Sequence, residues 1–331
     1  MFSIKRRDFI LLMGGAAAAW PLSARAQPER MRRIGVLMTL KESDPEARAW
    51  VATLKEGLQK LGWEQDLNVR IDYRWSAGDP DRIRTFAAEL VALAPDVILC
   101  SGAPTTTVLQ RATHTVPIVF VQVADPVGSG LVPTLERRGG NITGFTHFEY
   151  AIIGKWLEAL KETAPGISRV LTIQNPENFA WPGWFRAASL AAASVGVTLT
   201  PGEVRDREDI KRTISAHAQG SNGGMIVLPD TTTSLNRKQI IALAAHYRIP
   251  AIYPFRFFVT DGGLISYGSD PLDLWRRSAS YVDRIIRGES AGDLPVQAPT
   301  KFELVINLKT AKALDLTVPP MLLARADEVI E

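Results

Sequence analysis

The chain has 331 residues, 46% of them hydrophobic, and one cysteine, Cys100, so no intramolecular disulfide is possible and stability rests on apolar burial. Its formal charge of +3 comes from the first 26 residues, where Lys5, Arg6, Arg7 and Arg25 face only Asp8. Without those four basic residues and one acidic residue, 34 of each sign remain, which removes any electrostatic case for nucleic acid or an anionic membrane as partner.

In chain order, the opening stretch reads as an export signal: a basic start, an apolar run from Phe9 to Trp20, then Ala24-Arg25-Ala26 before Gln27. The run is shorter than the roughly 20 residues that a membrane span needs. Arg6-Arg7 followed by Asp8-Phe9-Ile10-Leu11 resembles the twin-arginine pattern, with Lys5 where Ser or Thr is usual, so twin-arginine and Sec routes both stay open. No cysteine stands near the cleavage site to carry a lipid. A freely diffusing periplasmic protein is expected, starting at Gln27.

Strand-like runs then alternate with amphipathic stretches, the pattern of an α/β protein with parallel sheets. Ile34 to Met38 predicts a strand, and Asp44-Pro45 opens a helix that runs to about Leu61 and closes at Gly62. Asn68 to Trp75 alternates like a strand, Asp79-Pro80 opens a helix to Leu93, and Val97 to Cys100 is a buried strand. A short helix from Thr105 to Ala112 leads to the strand Ile118 to Val121.

The second half repeats the programme. Helix Ile152 to Thr163, strand Val170 to Ile173, helix Trp184 to Val195 and strand Val197 to Thr200 come first. Asp206 then opens a helix as Asp79 did, and Met225 to Leu228 matches Val97 to Cys100. The helix Ser234 to Tyr247 leads into Ile249-Pro250-Ala251-Ile252-Tyr253, which echoes Val116-Pro117-Ile118-Val119-Phe120. Beyond it lie a strand Leu264 to Tyr267, a long helix Pro271 to Arg287, a strand Glu303 to Asn307 and a helix from Lys309. Two similar α/β lobes with parallel sheets follow, joined by a hinge of three crossings near Gly144 to Phe148, Asp261 to Gly263 and Gln297 to Thr300. Signal peptide aside, residues 27–145 plus 262–298 are assigned to the first lobe and 146–261 plus 299–331 to the second.

Open parallel sheets bind ligands outside the carboxyl ends of their strands. The candidates there are Thr39, Ser101, Gly102, Thr105, Val123 and Asp125 in the first lobe, and Asn175, Asn178, Trp181, Asp230, Thr231, Tyr253 and Arg256 in the second. Ser101 and Thr105 read either as an anion site at a helix start or as helix caps. Asp230 reads either as an acceptor for an ammonium group or as another cap. Trp181, Trp184 and Tyr253 offer rings to cover an apolar or aromatic group, although Trp184 reads more readily as a helix face in a core. Nucleophile elbows, phosphate loops, dinucleotide fingerprints and paired metal-spaced histidines are missing from the sequence. His114, His147, His217 and His246 read as ordinary surface or core residues and Cys100 as a small buried hydrophobe, so no catalysis, cofactor or metal is expected.

Several stretches carry a family resemblance. Arg6-Arg7-Asp8-Phe9, Gly14 to Leu22, Ile118 to Val127, and Gly139-Gly140-Asn141-Ile142-Thr143-Gly144 are among them. So are Gly262 to Gly268, Leu294-Pro295-Val296, Lys301 to Asn307, and the ending Leu323 to Glu331. Together they resemble the ABC-transporter substrate-binding family that includes TrpX-like tryptophan-binding proteins. The resemblance implies a type I periplasmic-binding-protein fold of two Rossmann-like lobes and three crossover strands, a ligand enclosed when the hinge shuts, and delivery to a membrane permease with a separate ATPase subunit. Family members often carry Asn-Pro-x-Asn-Pro after the strand ending here at Ile173. This chain instead reads Asn175-Pro176-Glu177-Asn178-Phe179-Ala180-Trp181. The expectation is a monomeric receptor for a small polar solute, an amino acid or related carboxylate, with an exported enzyme and a sensor module for a membrane receptor as rivals.

Overall fold

The computed structural model describes residues 31–136 and 140–331; the export signal, Gly139 and the earliest family motifs lie outside the described residues. The first half builds β1 (Arg32–Met38), α1 (Pro45–Lys60), β2 (Val69–Trp75), α2 (Pro80–Ala92), β3 (Val97–Ser101), α3 (Ala103–Ala112), β4 (Ile118–Val123) and β5 (Ile142–Thr146). These five strands form one parallel sheet in the order β2-β1-β3-β4-β5. Its inner strands are buried on both faces, which is why they read as unbroken apolar runs rather than alternating ones.

The chain then crosses to a second unit: α4 (Ile152–Thr163), β6 (Arg169–Gln174), α5 (Trp181–Val195), β7 (Thr198–Glu203), α6 (Arg207–His217) and β8 (Gly223–Val227). α7 (Thr231–Leu235), α8 (Arg237–His246), β9 (Ala251–Tyr253), α9 (Arg256–Thr260) and β10 (Ile265–Ser269) complete that passage. α10 (Pro271–Ile286) returns to the first sheet, packing on α1, β3, β4 and β5. A last crossing leads to β11 (Phe302–Asn307), α11 (Leu308–Ala313), α12 (Pro320–Leu323) and β12 (Glu328–Ile330). The second sheet runs β12-β11-β10-β9-β8-β6-β7, with β10 and β11 antiparallel.

Aspartates start many of these helices, as their positions before Pro or a polar first turn predict. Asp79 accepts from the backbone of Asp81 and Arg82, and its counterpart Asp206 accepts from Asp209. α1 and α10 likewise begin on Asp44 and Asp270. The stretch expected as one helix from Ser234 to Tyr247 is two, because Asn236 stands at φ −104°, ψ 16° between α7 and α8.

Three crossings join the sheets, but the second is not where the sequence reading placed it. Residues 262–269, assigned to the first lobe, belong to the second sheet: Ile265 pairs with Ile252 and with Ile306. The Asp261-Gly262-Gly263 turn only ends α9, and the short α9 returns β10 beside β9. The crossing follows at Ser269–Asp270, where Asp270 caps α10. The first and third crossings fall between β5 and α4 and between Gln297 and β11, with Gln297 still hydrogen-bonded to Gly144.

Candidate functional site

The carboxyl ends of the two sheets face one cavity, an empty volume of about 560 Å³ that includes some open solvent. On the first side, the ends of β1 and β3 are tied together. The Thr39 amide donates to Ser101 Oγ at 3.0 Å, and the two hydroxyls lie 3.1 Å apart. Thr105 Oγ1 donates to the carbonyls of Ser101 and Gly102 at 2.7 and 3.1 Å. Ser101 and Thr105 are therefore committed to shaping the loop, while Thr39, Gly102 and Ala103 line the cavity. Gly102 starts α3 at φ +79°, a conformation that an L side chain rarely adopts.

β4 ends in a bulge. The register slips between Val121 and Val123, and Gln122 sits at φ +63°. The extra residue flips the alternation: Val123 joins the face of Ile118 and Phe120, while Gln122 and Ala124 reach the cavity. Strain of this kind concentrates at sites where it re-aims a side chain.

On the second side Asp230 caps α7, its Oδ1 accepting from the Thr232 amide at 2.7 Å and its Oδ2 from Asn178 Nδ2 at 2.8 Å. Asn178 is itself held by the Ala180 amide at 3.0 Å. Burial raises the pKa of the Asp230 carboxyl, with the bonds from Asn178 and Thr232 acting in the opposite sense. Asn178, Asp230 and Thr231 all line the cavity.

An aromatic wall completes it and runs through both lobes. Trp50 of α1 meets Phe257 at 6.5 Å between ring centroids, Phe257 stacks on Phe255 at 5.2 Å, and Phe255 stacks on His147 at 5.8 Å. His147 immediately follows β5, in the first crossing. Two buried ring atoms of this wall have no hydrogen-bond partner, Trp50 Nε1 and His147 Nδ1. Burial pushes the His147 pKa down to about 4, with the nearby Val123 carbonyl acting in the opposite sense, so the ring is neutral near neutral pH.

Of the residues expected from sequence, Thr39, Gly102, Asn178, Asp230 and Thr231 meet here; the others do not line the cavity. Besides Ser101, Thr105 and Val123, these are Asp125, Asn175, Trp181, Tyr253 and Arg256. Asp125 holds a turn through Gly128 N and accepts from Tyr150 Oη at 2.8 Å. Asn175 donates to Thr232 Oγ1 at 3.0 Å, and Trp181 packs on Phe185. Tyr253 is buried against Phe258, Trp184 stacks in the core on Trp156, and Arg256 pairs with Glu303 and Glu328. Gln122, His147, Trp50, Phe255 and Phe257 were not anticipated. Only the run of rings from Phe255 to Phe258 beside a strand end signalled such a wall in the sequence.

Two polar ties bridge the lobes outside the cavity. Arg237, at the start of α8, forks onto Asp44 at the start of α1 with bonds of 2.7 and 3.1 Å. Its Nε donates to Asp261 at 2.8 Å. Tyr150 and Asp125 form the other tie. Among the described residues no cluster of His, Cys, Asp or Glu is placed to hold a metal, and no helix is long and apolar enough to cross a membrane.

Residues 33–330 match the family model described as ABC transporter substrate binding protein. A curated relative, the tyrosine-binding protein of Clostridioides difficile (strain R20291), is 26% identical over 261 residues, covering 79% of this chain and 75% of its own. A conserved domain protein from Vibrio cholerae O1 biovar El Tor superposes with a TM-score of 0.85 at 29% identity, over 91% of this chain and 100% of that one. An ABC domain from Streptococcus pneumoniae, solved in complex with L-Trp, gives 0.84 at 25% identity over 90% and 99%.

Proposed function

The chain belongs to the ABC transporter substrate-binding protein family, and from that premise we propose that it is the periplasmic receptor of an importer for an aromatic amino acid. It captures the solute between its lobes as a monomer and hands it to a membrane permease driven by a separate ATPase subunit. One observation carries the reading: strand ends from both sheets supply polar groups to the same cavity, and an aromatic wall built from both lobes borders it.

Each part of such a solute has a counterpart. The start of α3, without a side-chain cap, and the Thr39 hydroxyl suit a carboxylate. The Asp230 carboxylate suits an ammonium group, and the rings of Trp50, Phe255 and Phe257 suit a flat apolar side chain. Relatives support the choice, since one is a tyrosine-binding protein and another was solved with L-Trp. A solute touching both lobes favours the closed form by its differential affinity, and closure presents both lobes to the permease together.

Calorimetric titration of the purified chain with L-tryptophan and L-tyrosine tests this, alongside mass spectrometry of whatever gently purified protein releases on denaturation. Saturable binding of either amino acid is expected. Absence of heat from both, with a released solute that is no amino acid, would overturn the proposal.

A further inference from the structure

Charge is distributed unevenly around the cavity. Among the described residues Asp230 is the only ionised group that lines it, since Thr39, Gln122, Asn178, Thr231 and Ser234 are uncharged and His147 is neutral near neutral pH. The partners of the Asp230 carboxylate are the Thr232 amide and Asn178 Nδ2, and no lysine, arginine or histidine among the described residues pairs with it. Asp230 is only partly buried and faces the cavity, so its charge is open to whatever enters. A carboxylate drawn away from bulk water without a cation is costly, and an entering cation relieves it. The place that suits a carboxylate, on the other lobe, has no fixed positive charge. α3 starts on Gly102 without a side-chain cap, the Gly102 amide is taken by the Val121 carbonyl at 2.9 Å, and Pro104 at the second position has no N–H to offer. The Thr39 hydroxyl is already shared with Ser101 Oγ at 3.1 Å.

We infer that the ammonium group is the indispensable half of the solute, so that the cavity also takes aromatic primary amines without a carboxylate and turns away aromatic acids without an ammonium group. The inference rests on the proposed function and extends it to a second class of solute. Charge balance sets the order. A protonated amine neutralises Asp230 and leaves the cavity without net charge. An amino acid does the same and adds an anion, which neutral donors and the positive end of α3 hold. An aromatic acid brings that anion alone, beside a carboxylate that stays unpaired, and like charges in a partly enclosed cavity repel more strongly than in bulk water. Removing one partner of a charge pair costs more than losing a neutral hydrogen bond, because the remaining charge stays uncompensated. The wall of Trp50, Phe255 and Phe257 is indifferent to this choice, since solutes of all three kinds carry the same rings.

Tyramine and phloretate make the test, because they share a ring and a chain length and differ only in ending on an ammonium or a carboxylate. Tryptamine and indolepropionate repeat the comparison on the larger ring. Titration calorimetry at neutral pH should show the amine of a pair binding at least about tenfold tighter than its acid. In Asp230→Asn that preference should disappear. An acid that binds the wild type as tightly as its amine, an unchanged preference in the variant, or amines that fail to bind where L-tyrosine or L-tryptophan binds would each overturn the inference and leave the amino-acid receptor standing. Amines bound without either amino acid would uphold the charge order and overturn the amino-acid reading. Failure of both amino acids and both amines would remove the proposed function, and this inference with it. Should Asp230→Asn not fold, the wild-type comparison decides alone.

Discussion

Asp230 caps α7, accepts from Asn178 and is the proposed partner of an ammonium group, and its cap can be separated from its charge. As a cap it needs only an oxygen for the Thr232 amide; as a partner for an ammonium group it needs its charge. Asp230→Asn keeps the cap oxygen but removes the charge and the acceptor of Asn178 Nδ2, so L-tryptophan or L-tyrosine should bind at least about tenfold more weakly, about 1.4 kcal/mol, with an unfolding midpoint lowered by the loss of the Asn178 bond. Asp230→Ala should lose roughly 1 kcal/mol of stability as well, through the cap. Calorimetry and thermal melts on the two variants read both effects, and full affinity in Asp230→Asn would take the charge out of recognition. His147 has a different signature. Burial holds its pKa near 4, below the ordinary 6.5. Between those values the unfolded chain binds a proton that the folded chain refuses. The stability associated with the neutral ring is whole above pH 6.5 and is lost as pH falls through 4, a total of about 3 kcal/mol. Urea midpoints should therefore fall more steeply with acidification in the wild type than in His147→Phe, whose carboxylates are the same; parallel curves would contradict the burial argument.

At the scale of elements, one close approach between the lobes sets the backbone at Gly78 against the side chains of Leu235 and Thr231. Gly78, in the loop between β2 and α2, stands at φ +74°, and a Cβ there would lie 2.3 Å from Leu235 Cδ1 on α7 of the other lobe. Gly78→Val should wedge the shut form open: ligand affinity drops at least about tenfold, while the free protein loses about 1 kcal/mol from the backbone alone. A variant that binds as the wild type would show that the two loops need not touch. The same scale explains what the sequence disclosed. Repeated Asp-capped helices and paired apolar runs were legible because capping and burial are local, so most strands and helices and five cavity residues could be read directly. The bulge at Gln122 was not, since nothing in Val119-Phe120-Val121-Gln122-Val123 marks a residue at positive φ, and an even count through it puts Val123 on the wrong face. The sequence leaves Ser101 and Thr105 open between an anion site and helix caps, and only the tertiary pairing with Thr39 and with nearby carbonyls shows what their hydroxyls hold. The second crossing was misplaced for a similar reason: two glycines after α9 look like a hinge, but whether β10 pairs with β9 is decided across the sheet.

For the whole molecule, the question is what holds the lobes together when no solute does. Arg237 and Asp44, with side chains 7% and 12% exposed, form a forked pair from opposite lobes, and Asp261 takes the remaining edge of the guanidinium. Breaking a buried pair is costly where the charges stay buried, but here opening the hinge returns them to water, so the cost of losing the pair falls on closure rather than on folding. Asp44 also caps α1 through the Glu46 amide at 3.0 Å, which Asp44→Asn preserves. That variant should keep its melting behaviour, show a larger radius of gyration by solution scattering when free, and regain the compact profile at saturating L-tryptophan or L-tyrosine. Apparent affinity should weaken by the same factor as the population of the binding-competent shut form. If the free variant scattered like the wild type and bound equally well, the triad would be surface decoration, and closure would have to be driven by the contents of the cavity alone.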